Sequence, residues 1–114
     1  MEIGVDIVEI ARIRALYDRH GKRFMQRILT GAEMEQCLGK PDPVASLAGR
    51  FAAKEAVSKA LGTGIARGLS WHSIEVLNDE AGKPWVTLHG HPETRASISI
   101  SHDRHSAVAM ALIE

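Results

Sequence analysis

The spacing of apolar residues changes along this 114-residue chain, and the order of the changes restricts the fold it can adopt. At the start, Ile3, Val5 and Ile7 recur at every second position, which is typical of a β-strand. The period then becomes helical as far as Leu61, and four strand-like segments follow, at 73–77, 84–88, 96–101 and 106–113. One strand, several helices and then four strands predict a single α+β domain over residues 1–114.

The longest helical segment runs from about Val44 to Leu61, between a proline-rich break and a glycine-rich one. Its apolar positions at 44, 47, 48 and 51 form one stripe, which predicts packing against a core. The last strand segment, Ser106–Ile113, is almost continuously apolar and predicts a strand covered on both faces. Three shorter helices are predicted before the long one: the first ends at His20-Gly21, the second holds residues 24–28, and the third starts at the capping-box sequence Thr30-Gly31-Ala32-Glu33 and stops at Gly39.

The composition excludes several classes of protein. Hydrophobic residues make up 45% of the chain and charged residues 25%, a balance that argues against disorder. The longest unbroken apolar run, Ala107–Ile113, is too short for a membrane span, and the acidic first residues lack the basic region of a secretory signal. A single cysteine, Cys37, rules out an internal disulfide and fits the reducing cytoplasm. Aromatic residues are only 4%, so a stacking platform for single-stranded nucleic acid is not expected.

Positive charge is concentrated in one segment although the net charge is zero. Between Arg12 and Arg27 there are six bases and one acid, so this segment carries +5 and the remainder carries −5. A local basic face on a neutral protein indicates one acidic partner surface rather than general binding to polyanions. A helix face that is simply solvated is the alternative, and the spacing does not distinguish the two.

Two acids conflict with the apolar pattern around them, and such conflicts mark candidate functional sites. Asp6 lies within the first strand, where it either faces water at a sheet edge or needs a partner or a cation. Glu55 lies four residues after Phe51, close to the apolar stripe, and either pairs with Lys59 along the helix or holds something else. Two carboxylates near phosphate-binding bases suit a hard ion such as Mg²⁺, which takes oxygen ligands.

Three bases, Arg50, Lys54 and Lys59, make the long helix basic towards Gly62-Thr63-Gly64, a combination that could engage phosphates. The segment is not a P-loop, because G-x-x-x-x-G-K-[ST] is absent and the glycines follow the helix instead of preceding it.

A polar turn, Ser101–His105, separates the last two predicted strands and is typical of a hairpin loop. Ser101, His102 and Asp103 cannot form a hydrolase triad among themselves, because adjacent strand residues point to opposite sides. With one cysteine and no H-E-x-x-H sequence, a zinc site is not expected either.

Three segments together resemble holo-[acyl-carrier-protein] synthase, the small single-repeat family of 4′-phosphopantetheinyl transferases. They are Gly4-Val5-Asp6-Ile7-Val8-Glu9-Ile10, then residues 49–65 with the sequence GRFAAKEAVSKALGTGI, and Ser99-Ile100-Ser101-His102. The resemblance extends nearly end to end, and the pairing of G-x-D with R-F-x-x-K-E-A-x-x-K-A-x-G-T-G in this order is highly specific. Only residues 90–95 depart from it, where many relatives carry a longer and often helical segment.

The resemblance implies a fold, a reaction and a set of site residues. The fold packs an antiparallel sheet against one long helix and shorter N-terminal helices. The reaction transfers the 4′-phosphopantetheine arm of coenzyme A to a serine of apo acyl carrier protein in fatty-acid biosynthesis, and releases adenosine 3′,5′-bisphosphate. Matching by position makes Asp6 and Glu55 the Mg²⁺ ligands and catalytic residues, with Lys59 as a phosphate-binding catalytic residue. The implied coenzyme A contacts are Arg50, Lys59, Gly62, Thr63, Gly64, Ser101 and His102.

The resemblance also implies partners. Carrier proteins present an acidic recognition helix, which Arg12, Arg14, Arg23 and Arg27 are expected to dock. The family forms homotrimers with active sites between subunits, so we expect a cytoplasmic homotrimer that has no nucleic-acid or membrane partner. On the residues alone two other functions stay open: a binding module that docks an acidic surface, and a metal-dependent hydrolase of small phosphate esters.

Overall fold

The computed structural model describes residues 1–62 and 69–114, and in them the predicted α+β class and element order are confirmed. Within these ranges, no helix has the length and apolar character that crossing a membrane requires. In chain order the elements are β1 (Glu2–Glu9), α1 (Ile10–His20), α2 (Lys22–Ile28), α3 (Gly31–Leu38), α4 (Pro43–Leu61), a 3₁₀ turn (Trp71–Ser73), β2 (Ile74–Asn78), β3 (Pro84–Leu88), β4 (Ala96–His102) and β5 (Ser106–Ile113).

The described strands form two antiparallel sheets. The larger sheet has the order β1-β5-β4, so β5 is central and β1 is an edge strand, while β2 and β3 form a separate hairpin. Asp6 of β1 lies opposite Ala109 of β5, and Ile100 of β4 lies opposite the same alanine. The inward-facing residues of β5 are small, with Ala107, Ala109 and Ala111 all buried, so that α4 can lie close across this face.

Local sequence determines both ends of α4. The Asp42 carboxylate accepts hydrogen bonds from the backbone N–H groups of Val44 and Ala45, and Pro43 occupies the first helical position. Gly62 ends the helix in the left-handed region, at φ 75°. The predicted single apolar stripe is too narrow, because thirteen of the nineteen residues of α4 are buried. The helix is enclosed by the sheet on one side and by the other helices and the hairpin on the rest.

Gly4 allows β1 to reach α4. A Cβ atom at this position would overlap the carbonyl oxygen of Ala56 and would lie 2.7 Å from the backbone nitrogen of Ala60. The strand and the helix therefore touch main chain to main chain, which no residue other than glycine permits here. Asp6 follows two residues later on the same strand, and the close contact at Gly4 brings its side chain to Lys59 of α4.

On β1 and β5 the outward face of the larger sheet is apolar, and it is uncovered in the single chain. Ile7 of β1 is 68% exposed and Met110 of β5 is 53% exposed. The expectation that β5 is covered on both faces is therefore wrong for one chain, because α4 covers only the inner face. We call this surface the outer apolar face, and its members are Ile3, Val5, Ile7, Val108 and Met110.

Candidate active site

Asp6, Glu55 and Lys59 converge where β1 crosses α4. The ammonium of Lys59 lies 2.8 Å from Oδ1 of Asp6 and donates a second hydrogen bond, 3.1 Å long, to the carbonyl oxygen of Val5. The Asp6 side chain is only 17% exposed, so it does not face open water even though β1 is an edge strand. Of the two alternatives for Asp6, the structure selects the paired carboxylate.

The Glu55 carboxylate lies beside this pair. Burial raises its pKa above the usual value of 4.5, and the negative charge of Asp6 raises it further, against opposing effects from Lys59 and Arg12. Glu55 lies one helical turn before Lys59, whose ammonium contacts Asp6, so α4 brings both carboxylates to the same region. Among the ion pairs of the described residues, Lys59 joins Asp6 and not Glu55, so the simple helical pair of Glu55 with Lys59 is not formed. The hydrogen bond to Asp6 raises the pKa of Lys59, which stays cationic.

Arg12 of α1 reaches α4 one helical turn before Glu55, at Phe51. Its guanidinium lies over the ring of Phe51, 5.9 Å from the ring centroid, and the Phe51 ring stacks on Trp71 at 5.0 Å. The charge of Arg12 also opposes the rise in the pKa of Glu55. The basic segment therefore extends, through Arg12, to the region of the two carboxylates.

A cavity of about 460 Å³ lies beside the N-terminal half of α4, between the β2–β3 hairpin and the end of β4. Three of its lining residues are basic or titratable to a cation: Lys40, Arg50 and His102. Neither carboxylate of the Asp6–Glu55 pair lines it. The structure therefore brings two predicted coenzyme A contacts, Arg50 and His102, to one cavity that lies apart from the carboxylates.

Arg50 is buried, and four of its hydrogen bonds are made inside the chain. Its Nε donates to the carbonyl oxygen of Val76, and its terminal nitrogens donate to Ser46, Gln36 and Asn78. A guanidinium held in this way is rigid and presents a fixed positive charge at the wall of the cavity.

Other predicted site residues are distributed differently. Ser101 alternates with His102 along β4 and lies on the outward side, opposite Val108 of β5, so it is not in the cavity. Gly62 caps α4 three residues after Lys59. Thr63 and Gly64 lie outside the described residues. Lys54 is fully buried, so the expectation that it engages phosphates is wrong: its ammonium is paired with Glu33 inside the core.

The basic segment divides into two places. Arg23 and Arg27 of α2 line a depression of about 490 Å³ together with Arg19, His20 and Phe24, which we call the basic depression. Arg14 is not among them, because its guanidinium pairs with the Asp42 carboxylate at 3.1 Å. The grouping of Arg14 with Arg23 and Arg27 is therefore not found in the structure.

Two lining residues were missed in the sequence. Lys40 precedes the Pro41-Asp42-Pro43 break, and a base beside a helix N-terminus was the available signal. Arg19 precedes Arg23 and Arg27 at intervals of four, the spacing of one helix face, but Gly21 interrupts the helix between them and obscures the pattern.

Comparisons with known proteins agree with this fold. The model of the 4′-phosphopantetheinyl transferase superfamily matches residues 2–113, and the chain belongs to this superfamily. Holo-[acyl-carrier-protein] synthase of Chlorobaculum tepidum is 77% identical, in an alignment that covers 100% of this chain and 98% of that protein. The family resemblance carried by the sequence motifs is confirmed.

Two solved structures are similar throughout their length. Holo-[acyl-carrier-protein] synthase of Helicobacter pylori, in complex with coenzyme A, has a TM-score of 0.89 at 38% identity, covering 98% of this chain and 99% of that one. The synthase of Neisseria meningitidis has a TM-score of 0.91 at 37% identity, covering 99% and 97%.

Proposed function

We propose that this chain is a holo-[acyl-carrier-protein] synthase. It transfers the 4′-phosphopantetheine arm of coenzyme A to a serine hydroxyl of apo acyl carrier protein and releases adenosine 3′,5′-bisphosphate, a step of fatty-acid biosynthesis. The observation that carries the proposal is the convergence of Asp6, Glu55 and Lys59, which are far apart in sequence. The sequence identity to named synthases, which extends over the whole of this chain, supports the proposal.

The donor set fits Mg²⁺. The candidate donors for a hard cation are the two carboxylates Asp6 and Glu55; within the described ranges no group of three His, Cys, Asp or Glu residues is placed to hold a metal. Magnesium is commonly bound by one or two carboxylates, with substrate phosphates and water completing its shell. The raised pKa of Glu55 beside Asp6 marks a place where added positive charge is favourable. When bound, the ion supplies Lewis-acid stabilisation of charge on the diphosphate.

The chain's own groups position and neutralise the reactants. Lys59 is 54% exposed at its side chain, so its ammonium can reach a phosphate while it remains near Asp6. The serine oxygen forms a bond to the phosphorus that carries the pantetheine arm, and the bond from that phosphorus to the adenosine bisphosphate breaks. The serine proton leaves to a base, for which Glu55 is the candidate because it lies one helical turn before Lys59, the residue proposed to reach the diphosphate.

The cavity beside α4 suits the nucleotide end of coenzyme A. Lys40 and Arg50 offer positive charge to the phosphate on the ribose, His102 offers a ring N–H, and Pro84 with Ile100 offers apolar surface to the base. The fixed guanidinium of Arg50 supports this role, because a charge that does not have to be ordered on binding costs little entropy.

The basic depression suits the acidic helix of the carrier protein. Arg19, Arg23 and Arg27 surround Phe24, which combines rim charges with one apolar contact. Arg19 at the C-terminal end of α1 lines this depression, and Arg12 near the start of the same helix acts on Glu55, so a carrier docked here would lie about one helix length from the carboxylates.

A homotrimer with active sites between subunits is the proposed assembly. The outer apolar face is of the kind that monomers rarely leave exposed, and a second copy of the chain is its proposed occupant. Such packing would bring the cavity of one subunit next to Asp6 and Glu55 of its neighbour. Within one chain these two carboxylates do not line the cavity. We also propose the cytoplasm as the compartment, on the basis of the single unpaired Cys37.

Intact-mass measurement tests the function directly. Apo acyl carrier protein incubated with coenzyme A, Mg²⁺ and the purified chain should gain the mass of one phosphopantetheine group, and the gain should stop when the metal is chelated. Cleavage of coenzyme A without any carrier modification would indicate a hydrolase and refute the proposal.

A further inference from the structure

A fully buried ion pair lies beside the site, and the proposed chemistry does not use it. The ammonium of Lys54 on α4 lies 2.7 Å from Oε1 of Glu33 on α3, and both side chains are 0% exposed. Burial lowers the pKa of Lys54, and the charge of Glu33 opposes this effect. Lys54 immediately precedes Glu55 in the chain, so whatever holds Lys54 also holds the turn of α4 that carries the candidate base.

All three donors of the Lys54 ammonium have acceptors. Besides Glu33, the ammonium donates to the carbonyl oxygen of Ile28 at 2.6 Å and to that of Trp71 at 2.9 Å. Ile28 is the last residue of α2, and Trp71 opens the 3₁₀ turn. One side chain of α4 therefore holds the ends of two separate elements.

The partner carboxylate holds the start of its own helix and one further element. Oε1 of Glu33 accepts a hydrogen bond from the backbone N–H of Thr30 at 2.9 Å, and Oε2 accepts one from the backbone N–H of Val76 at 2.8 Å. The pair thus joins α2, α3, the 3₁₀ turn and β2 to α4, with every polar atom satisfied.

A buried ion pair adds little net stability, since the desolvation of two charges offsets their attraction and apolar residues of the same volume serve as well. The hydrogen bonds of this pair are directional, however, and they are aimed at backbone groups at the ends of elements that carry substrate-facing residues. Arg27 of the basic depression is adjacent to Ile28, and the ring of Trp71 stacks on Phe51, beneath Arg12.

We propose that Lys54 and Glu33 are positioning residues that hold the basic depression in a fixed place relative to Asp6, Glu55 and Lys59. The proposal rests on the function proposed above, and it adds that the pair determines how well a docked carrier protein presents its serine. The pair contacts neither substrate, so its loss acts through the placement of α2 and the 3₁₀ turn.

Steady-state kinetics of Lys54→Met tests this. Because the lysine alone is removed, Glu33 is left buried without its partner, so the double variant Glu33→Gln/Lys54→Met is measured beside it. Leu88→Ala, a core change in the β2–β3 hairpin, provides a control of lowered stability elsewhere. We expect the KM for carrier protein to rise about tenfold in both Lys54 variants, as misplacement of a docking surface implies, while the KM for coenzyme A changes less than about twofold.

A purely structural role would lower the active fraction, and hence kcat, without separating the two KM values, as in Leu88→Ala. Equal changes in both KM values in the double variant would overturn the proposal. If the unaltered chain does not modify carrier protein at all, the proposed function fails instead.

Amide hydrogen exchange does not need activity. Exchange of the backbone N–H groups of residues 25–29 should be faster in Lys54→Met and in the double variant than in Leu88→Ala. Unchanged protection of α2 would refute the coupling whether or not the enzyme is active.

Discussion

The ammonium of Lys59 lies 2.8 Å from a carboxylate oxygen of Asp6, although 53 positions separate the two residues in the chain. This contact joins the edge strand of the sheet to the last turn of its long buried helix. It places one cation between two carboxylates, because Glu55 lies one helical turn before Lys59. In the proposed reaction the Lys59 ammonium binds the diphosphate of coenzyme A. Before coenzyme A binds, the pairing of Lys59 with Asp6 neutralises the charges of both side chains.

Replacing either carboxylate should abolish transfer without unfolding the chain. Asp6→Ala and Glu55→Ala are each expected to lower kcat/KM at least about a hundredfold, the scale on which loss of a charge-stabilising group acts. Intact-mass assays give the rate. Mg²⁺ with coenzyme A should raise the melting temperature of the parent chain and not that of either variant. Glu80→Ala, in the exposed β2–β3 turn, is the matched control and should behave as the parent. Full activity in both site variants would reject the assignment.

Gly4→Ala should separate β1 from α4. The added methyl has no room against Ala56 and Ala60, so we expect a loss of at least about 2 kcal/mol in the free energy of unfolding. Activity should fall with it. Gly31→Ala is the control, since nothing lies within 4 Å of the new methyl at the first position of α3. Urea denaturation measures both, and an unchanged midpoint for Gly4→Ala would contradict the close contact.

Charge reversal in the basic depression should affect one substrate only. Arg23→Glu and Arg27→Glu are expected to raise the KM for carrier protein about tenfold or more while leaving that for coenzyme A unchanged, with an effect that weakens as salt increases. Arg14→Glu should have a smaller effect on carrier KM, because Arg14 faces Asp42 instead. Equal effects of Arg14 and Arg23 would show that carrier protein covers the whole basic segment.

The Asp42 carboxylate should make stability depend on pH in acid. Burial alone would raise its pKa, but the hydrogen bond from Ala45 and the charge of Arg14 together hold it below the usual 3.8. A lowered pKa means that the contribution to stability is complete above about pH 3.8 and is lost as pH falls through the folded-state value. Asp42→Asn keeps the helix cap, so its melting temperature should lie about 2 °C below the parent at pH 7. The gap should close towards pH 3, and a constant gap would mean that the charge is not involved.

Mixing two inactive variants tests whether sites lie between subunits. The Glu55→Ala variant lacks one proposed metal ligand. The Lys40→Glu/His102→Glu variant places negative charge in the cavity. After the two are unfolded together and refolded, about a quarter of parental activity should return, because one interface in four then combines two intact sides. Sedimentation of the parent should show three chains per particle. No recovery in a mixed trimer would place each site within one subunit.

The short-range parts of the fold were predictable from sequence because each depends on neighbouring residues. The capping box at Thr30 and Glu33 is formed as expected, and the glycine that ends α4 takes the left-handed conformation. What the spacing could not give was the width of the buried surface of α4. A stripe at residues 44, 47, 48 and 51 predicts one covered side, whereas alanines and a glycine on the remaining sides let other elements pack there too.

The candidate site was predictable only in part, because its residues come from elements that are far apart in the chain. Motif matching brought Asp6, Glu55 and Lys59 together, since no local rule joins a strand to a helix fifty residues later. Lys54 was misassigned because a lysine in a basic helix is usually solvated, and only the tertiary structure reveals that Glu33 lies opposite it. The separation of Arg14 from Arg23 and Arg27 was not predictable, because its pairing with Asp42 spans 28 positions; its role in docking carrier protein stays a prediction.

The contact at Gly4 has a consequence for how this enzyme can change over time. Because main-chain atoms set the gap between β1 and α4 at this point, core side chains elsewhere can change in bulk without widening it there. The tolerance of the interior is therefore uneven: at Gly4 even one added methyl group pushes main-chain atoms apart and destabilises the fold.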